Sequence, residues 1–564
     1  MSRPYALRSQ NSAPFLQWVG AAFCALLAVV LWLLYRHYLT RSPLDNLPGP
    51  KPGSSAAALG NLKDMTDAEA AGKRMQDLAE TYGPAAVLPG ILGVRMLNLF
   101  DPKALHSIFV KDIDYFPHDL NPSNDLRFLL GPGVLTTEGS QHRRQRKILN
   151  PVFSAAHLRN MTHIFYDVTH KLRRALETRV DESPEQVDVN GWMGRTTLEM
   201  LGQAGLGYSF ENFVEDSSDA FGEAIKMFFP LLTTRLPLLG VVIALASNYL
   251  SESTMRSILR RYPSANLQRM LDISETMARR SQEIIDEKKA ALTRGDEDAL
   301  QRVGEGKDIM SVLLKDNINA SVTERLTDEE LVAQMSTLIL AGMDTTSNAL
   351  SRILHLLALH PSVQEKLRAE IREARGCSGP HDEGSDISYD ELVKLPYLDA
   401  ICRETLRLYP PVPALIRRPT KDIVIPLQWP VRGKDGSLIT EIPVPKGTFV
   451  IAAIRASNCN KALWGEDAME WRPERWLEPL PAELEEARIP GVYSHLMTFS
   501  GGGRSCIGFK FSQLEMKVVL SVLLSKFKFE LTDKPIVWKM SAVIYPTMDA
   551  KSTRPEMVLK VTRI

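Results

Sequence analysis

The chain has 564 residues, and its 67 Lys+Arg balance its 67 Asp+Glu, so no net field draws it to nucleic acid or another polyanion, and any basic partner surface must be local. Its five cysteines, Cys24, Cys377, Cys402, Cys459 and Cys506, are scattered with no C-x-x-C pair, which argues against a disulfide scaffold and a structural zinc site. One of them is left to act through its own reactivity or ligation.

Taken in chain order, the first element is a membrane anchor over residues 13–38. No charge occurs from Ala13 to Tyr35, and about 23 residues at ~1.5 Å rise give ~34 Å of helix, enough to cross the hydrocarbon layer. Trp18, Trp32, Tyr35 and Tyr38 sit near its ends as interfacial aromatics do. A cleaved signal peptide is the alternative, but the apolar run is longer than the usual ~7–15 residues of such a peptide. Arg36, His37, Arg41 and Lys51 follow the run while Arg3 and Arg8 precede it, which favours a cytosolic body. Residues 39–53 form a Pro-rich linker ending in Leu47-Pro48-Gly49-Pro50-Lys51-Pro52-Gly53, whose spaced prolines favour stiff, extended backbone. No linker or internal repeat divides residues 54–564, which read as one large domain.

Helical periodicity dominates that domain. The best-defined helix starts at Thr327, with Glu330 completing a capping box, and runs about 32 residues to Leu359 before Pro361. Ser362 with Glu365 and Ser388 with Glu391 predict two more capped starts, the second helix ending at Pro410-Pro411. Short β-like runs follow at Asp422 to Ile425 and Thr448 to Ile454. The polar stretches Thr293 to Lys307 and Gly376 to Asp386 read as solvated loops. The fold class is mainly α with a minor β-sheet.

Near the C-terminus, Phe499-Ser500-Gly501-Gly502-Gly503-Arg504-Ser505-Cys506-Ile507-Gly508 precedes a helical pattern through Leu514, Val518 and Leu520. A cysteine just before a helix N-terminus is biased toward thiolate by unpaired N–H groups and the helix dipole. The ten residues meet F-x-x-G-x-R-x-C-x-G at every fixed position, and the loop resembles the haem-binding loop of the cytochrome P450 superfamily. Three more segments resemble that superfamily in the same order along the chain. Glu404-Thr405-Leu406-Arg407 is similar to its E-x-x-R, and Pro473-Glu474-Arg475-Trp476 to the segment that supplies a third member, Arg475. Residues three apart share a helix face, so Glu404 and Arg407 can pair; an isolated pair of this kind is ordinarily a surface salt bridge of small weight. Ala341-Gly342-Met343-Asp344-Thr345-Thr346 resembles the oxygen-binding A-G-x-D/E-T-T segment, and the apolar Leu338-Ile339-Leu340 before it argues for an interior position over a surface patch. Glu138 to Lys147 resembles the W-x-x-x-R helix, with His142 where tryptophan is commonest.

The resemblance implies a cytochrome P450 fold after one N-terminal transmembrane helix, as in fungal microsomal members. It implies haem b, with Cys506 as the axial thiolate on iron and Phe499 and Gly502 in the binding loop. His142, Arg146, Arg417 and Arg504 are expected at the propionates, and His142 would add a pH dependence. Thr345 and Asp344 are expected to act in catalysis, supporting protonation of bound oxygen, while Glu404, Arg407 and Arg475 are expected to be structural. Arg143, Arg144 and Lys147 form either a solvated basic face or a docking surface for an acidic electron donor. The implied reaction inserts one atom of O2 into a lipophilic small molecule, in terpenoid or other secondary metabolism. With no G-x-G-x-x-G and no room for a flavin domain, electrons would come from a separate NADPH-cytochrome P450 reductase, with cytochrome b5 as an optional second donor. The body would face the cytosol from the endoplasmic reticulum membrane. The substrate pocket is expected among Phe116 to Leu135, the Ala341 helix, Val412 to Ile416 and the turn Val543 to Pro546. The apolar Met227 to Leu250 reads equally as a lipid-touching lid or a core helix. Two other functions stay open, a haem-thiolate isomerase or dehydratase acting on a peroxide without a reductase, and a non-catalytic haem sensor.

Overall fold

The computed structural model describes residues 28, 41–50, 68–90, 94–117, 125–180, 184–210, 213, 220–233, 250–294, 307–321, 324–377 and 384–564. Apart from residue 28, the expected anchor lies outside them, as do Lys51 to Gly53 of the linker, Thr293 to Lys307 in large part, and residues 234–249 of the apolar stretch. Among the described residues no helix is long and apolar enough to cross a membrane.

The axis of the fold is the long helix Asp328–Leu359. Thr327 caps it, its hydroxyl accepting the Glu330 N–H while the Glu330 carboxylate accepts the Thr327 N–H, so both orphan donors of the first turn are satisfied. From Ala333 to Ala358 every residue is buried except Ala341, which is exposed, and Gly342 and Thr345, which are half-buried. Around it pack the helices Val189–Met200, Ala265–Arg294, Pro396–Leu408 and Phe509–Leu523, and Ala155–Val180 lies against the first and last of these.

The sheets are small and peripheral. A mixed four-stranded sheet has the order Ala85–Pro89, Arg95–Leu99, Phe449–Ala452, Leu415–Arg417, with its middle pair parallel. The C-terminal strand Val558–Arg563 pairs antiparallel with both Phe527–Glu530 and Glu185–Asp188, tying the chain end to its middle. The two β-like runs become Ile423–Arg432 and Phe449–Ala452.

Two predicted helix starts are corrected. The helix expected to be capped at Ser362 begins at Pro361, with His360 at the cap position and no side-chain cap; Pro fits the first helical position because its missing N–H needs no partner there. The Ser388–Glu391 capping box forms, but it opens a four-residue turn, Tyr389–Leu392, and a new helix starts at Pro396. Proline disfavours helical geometry in the residue before it, so Leu395 stays extended and splits the segment. The described part of the apolar stretch is core, with Phe228, Phe229 and Leu231 buried.

Candidate active site

The cysteine loop is shaped by a hairpin. Strands Gly491–Tyr493 and Leu496–Gly501 are joined through Ser494 and His495, both in the left-handed region, and the second strand runs into a 3-10 turn at Gly502–Arg504. Gly502 has φ +63°, and a Cβ there would lie 1.9 Å from the Phe109 carbonyl oxygen, so only glycine lets the loop pack this closely. Phe499 sets its ring against Tyr493 and Phe509, and its carbonyl accepts the Cys506 N–H at 2.9 Å. Cys506 then stands three residues before the helix Phe509–Leu523, whose predicted apolar face, Leu514, Val518 and Leu520, is buried.

Cys506 is accessible although protein surrounds it. That burial pushes its thiol up, against the opposing pull of the Gly508 N–H and the Arg146 charge. The Gly508 N–H and Arg146 thus pull toward thiolate while the surrounding protein opposes them, and a metal cation at the sulfur would add to that pull.

Basic side chains gather around the loop. Arg146 donates to the Ser505 carbonyl at 2.8 Å, and Arg504 is ion-paired with Glu138. Arg417 is buried, donates to the Ile416 carbonyl at 2.9 Å and lies over the Phe109 ring. His142 is buried among Arg504, Arg146 and Arg143, and burial first, then those charges, draws its imidazole down to about 3. The protein around His142 thus favours the neutral ring, and a propionate beside it would pull the other way. Of the three other basic residues, Arg143 pairs with Asp114 and Lys147 with Glu324 at the surface, while Arg144 reaches the buried Glu330 at 2.5 Å.

Behind the loop, Glu404 and Arg407 make a two-pronged pair at 2.9 and 2.8 Å with neither side chain exposed. Arg475 joins at 3.4 Å, and the Trp476 indole and the Arg472 N–H also donate to Glu404.

The long helix presents its other half of the site through Thr346, whose hydroxyl donates to Ser512 on the cysteine helix at 3.1 Å. Ala341 and Thr345, four residues apart, share the accessible face, and the Thr345 hydroxyl donates to the Ala341 carbonyl at 2.7 Å. Asp344 lies about 100° round the helix. It is buried, accepts from the Asn348 amide at 3.3 Å, and is pushed up to about 7 by burial, against the pull of Lys226 and Asn348. Sequence reading missed Lys226, Asn190 and Asn348 around this carboxyl; a lone lysine ahead of Met227-Phe228-Phe229 was the available signal. It also missed Glu515, a buried carboxyl pushed well up by desolvation and hydrogen-bonded to Thr346.

The residues present suit a haem. An accessible thiol, an accessible alanine and a half-buried threonine interrupt the burial of the cysteine loop and of the long helix that packs on the helix after it, and Arg146, Arg417, Arg504 and His142 supply N–H donors suited to two carboxylates.

Comparison with known proteins agrees. The cytochrome P450 family model matches residues 50–549. The chain is 59% identical to ganoderic acid synthetase of Ganoderma lucidum, covering 95% of this chain and 96% of that one. It is 52% identical to cytochrome P450 monooxygenase 91 of Postia placenta, covering 96% and 98%. A crystal structure of a cytochrome P450 shares the fold with a TM-score of 0.66 at 22% identity, covering 93% of this chain and all of the other. The family's cofactor is a haem with thiolate-ligated iron, and the chain belongs to the cytochrome P450 monooxygenase family.

Proposed function

We propose that this protein inserts one oxygen atom of O2 into a C–H or C=C bond of a lipophilic small molecule in terpenoid or other secondary metabolism. Two electrons would come singly from NADPH through a separate reductase, with cytochrome b5 able to assist. The body would be held to the endoplasmic reticulum membrane by residues 13–38 and face the cytosol. The single observation that carries the chemistry is the interruption of burial at Ala341, Gly342 and Thr345, on a helix whose Thr346 is hydrogen-bonded to Ser512 of the helix following an accessible Cys506. The substrate class is supported by the 59% identity to a relative named for ganoderic acid synthesis.

When bound, the haem supplies the iron centre at which O2 is activated, and a thiolate ligand favours O–O cleavage there. The chain's own residues do the rest. Cys506 ligates the iron, while Arg146, Arg417, Arg504 and His142 hold the propionates. Ala341 and Gly342 keep one face open. The Thr345 hydroxyl, already donating to Ala341, is free to accept a hydrogen bond on its oxygen. Asp344, protonated near neutrality, is the proton source beside it.

Expression in microsomes with a reductase tests this. The reduced protein under CO should give a thiolate-type spectrum that Cys506→Ser abolishes, and oxygenated product should require NADPH and reductase. Conversion of a hydroperoxide without reductase would instead establish the isomerase reading, and ligand binding with no oxygenated product the sensor reading.

A further inference from the structure

A cavity of about 280 Å3 lies between the helices Val189–Met200 and Ala220–Lys226 and the long helix. Met343, which lines it, stands two residues from both Ala341 and Thr345 and so about 160–200° round the helix from them, away from the accessible face. One wall is apolar, made by Leu198, Met227 and Met343. The Met343 carbonyl accepts the Thr197 hydroxyl at 3.0 Å, which holds that wall in place before any ligand arrives. Lys226 is buried on the inner side, its stem lying across Gly194, where a Cβ would be 1.9 Å from the lysine Cε. Its ammonium donates to both the backbone carbonyl and the side-chain oxygen of Asn190, the latter at 2.9 Å, and the Asn190 amide donates to Asn348 at 2.9 Å. Two of its three protons are thereby spent, which leaves one for the cavity that Lys226 lines.

The charged lining is unbalanced, with Arg195, Lys226, Arg269 and Arg554 against Asp188 and Glu223. Asp188 is committed to backbone, accepting the N–H groups of Gly191 and Met557 at 3.1 and 3.0 Å. Glu223 reaches Arg554 only at 3.9 Å, and both are exposed at the rim. Burial draws the Lys226 ammonium down to about 8 against the pull of Asp188, Asp344 and Glu223, so it is still charged at neutrality, and an anion beside it would offset its desolvation. We propose that this cavity is a second ligand site that takes a small amphiphilic carboxylate, with the carboxylate between Lys226 and the arginines and the apolar part against Leu198, Met227 and Met343. A compact inorganic anion would leave the apolar wall unused, and a neutral lipid would leave the cations unpaired. At roughly 30 Å3 for each atom of water size the space suits a ligand of about nine heavy atoms. The proposal goes beyond the oxygenation reading and does not depend on it.

The test measures hexanoate binding by calorimetry to full-length holoenzyme whose iron is saturated with an azole, so that the haem side is already filled. Inorganic phosphate and 1-hexanol are the comparison ligands. One equivalent of hexanoate should bind, and hexanol and phosphate should each bind about tenfold more weakly, since each lacks one half of the match. Lys226→Met should weaken hexanoate by about tenfold, the loss of one charge-assisted hydrogen bond. Gly222→Leu, whose side chain enters the cavity with its Cβ 3.2 Å from Leu198, should abolish binding. Arg554→Glu reverses a charge at the exposed rim, leaves the core untouched and should weaken hexanoate by about threefold, most at low salt. That variant decides the question if the two interior ones fail to fold, and its CO spectrum should be intact, which keeps this result separate from the haem reading. The proposal is overturned if hexanoate does not bind, binds only when the azole is absent, or is matched by hexanol or phosphate. It is equally overturned if binding is unchanged in Arg554→Glu and in whichever interior variants fold.

Discussion

In the proposed mechanism Asp344 must be protonated to act, and burial makes that possible near neutrality by pushing it up to about 7. A general acid works in its protonated form, so turnover to product should be highest below pH 7 and fall above it, and Asp344→Asn should lower it by ~10²-fold and remove that alkaline limb. The same shift bears on stability. The folded protein holds this proton more tightly than the unfolded chain, so the stabilising contribution is complete below the ordinary carboxylate value and is lost as pH rises toward 7. Urea midpoints measured across that window should decline less in Asp344→Asn than in the wild type. Gly502 is a steric case instead of an electrostatic one. With its φ of +63° and a Cβ position 1.9 Å from the Phe109 oxygen, Gly502→Ala must displace the cysteine loop, and the thiolate-type CO spectrum should be lost at temperatures where the wild type keeps it.

At the scale of elements, the Glu404–Arg407–Arg475 cluster fastens the helix Pro396–Leu408 to the segment Pro473–Trp476 behind the cysteine loop. Glu404→Leu leaves the buried Arg407 without its carboxylate, while Arg475 keeps Asp467 at 2.9 Å, and should cost ~3–5 kcal/mol, read as a fall in the denaturation midpoint and in the yield of folded holoprotein. The basic helix Gly139–Leu149 divides by burial. Arg143 and Lys147 make exposed, solvent-screened pairs of small weight, so reversing both to Glu should leave the CO spectrum intact and raise the KM for reductase, most at low salt. An unchanged KM would make this a solvated face. Elements whose signals are local were legible in the sequence: the long helix through its capping box and period, the cysteine loop through its spaced glycines and arginine. The Ser362 signal is displaced because Pro361 takes the first helical position, and the Ser388 signal stops short because Pro396 holds Leu395 extended and opens a fresh helix. The Lys226–Asn190–Asn348 chain joins three helices far apart in sequence, and only tertiary packing brings them together.

For the whole molecule, the proposed anchor would set how the body sits at a membrane. The apolar run predicted over residues 13–38 ends five residues before the 3-10 turn Pro43–Asn46, which is part of the body. Leu44 and Leu47 are buried, and Asn46 accepts the N–H groups of Lys434 and Asp435 at 2.8 and 3.1 Å. Five extended residues reach at most ~18 Å, so an anchor in the bilayer would hold this edge of the body close to the membrane surface, and a reductase in the same membrane would meet it at raised effective concentration. Deleting residues 1–38 should therefore leave the fold and the CO spectrum unchanged, because the described contacts of Leu44, Asn46 and Leu47 remain. It should move the protein from the carbonate-washed membrane pellet to the supernatant, and reductase-supported turnover should fall in dilute microsomes and recover as reductase concentration is raised. A truncated protein that still resists carbonate extraction would show that another surface binds the membrane, and one that keeps full turnover in dilute microsomes would show that co-localisation contributes nothing to electron delivery.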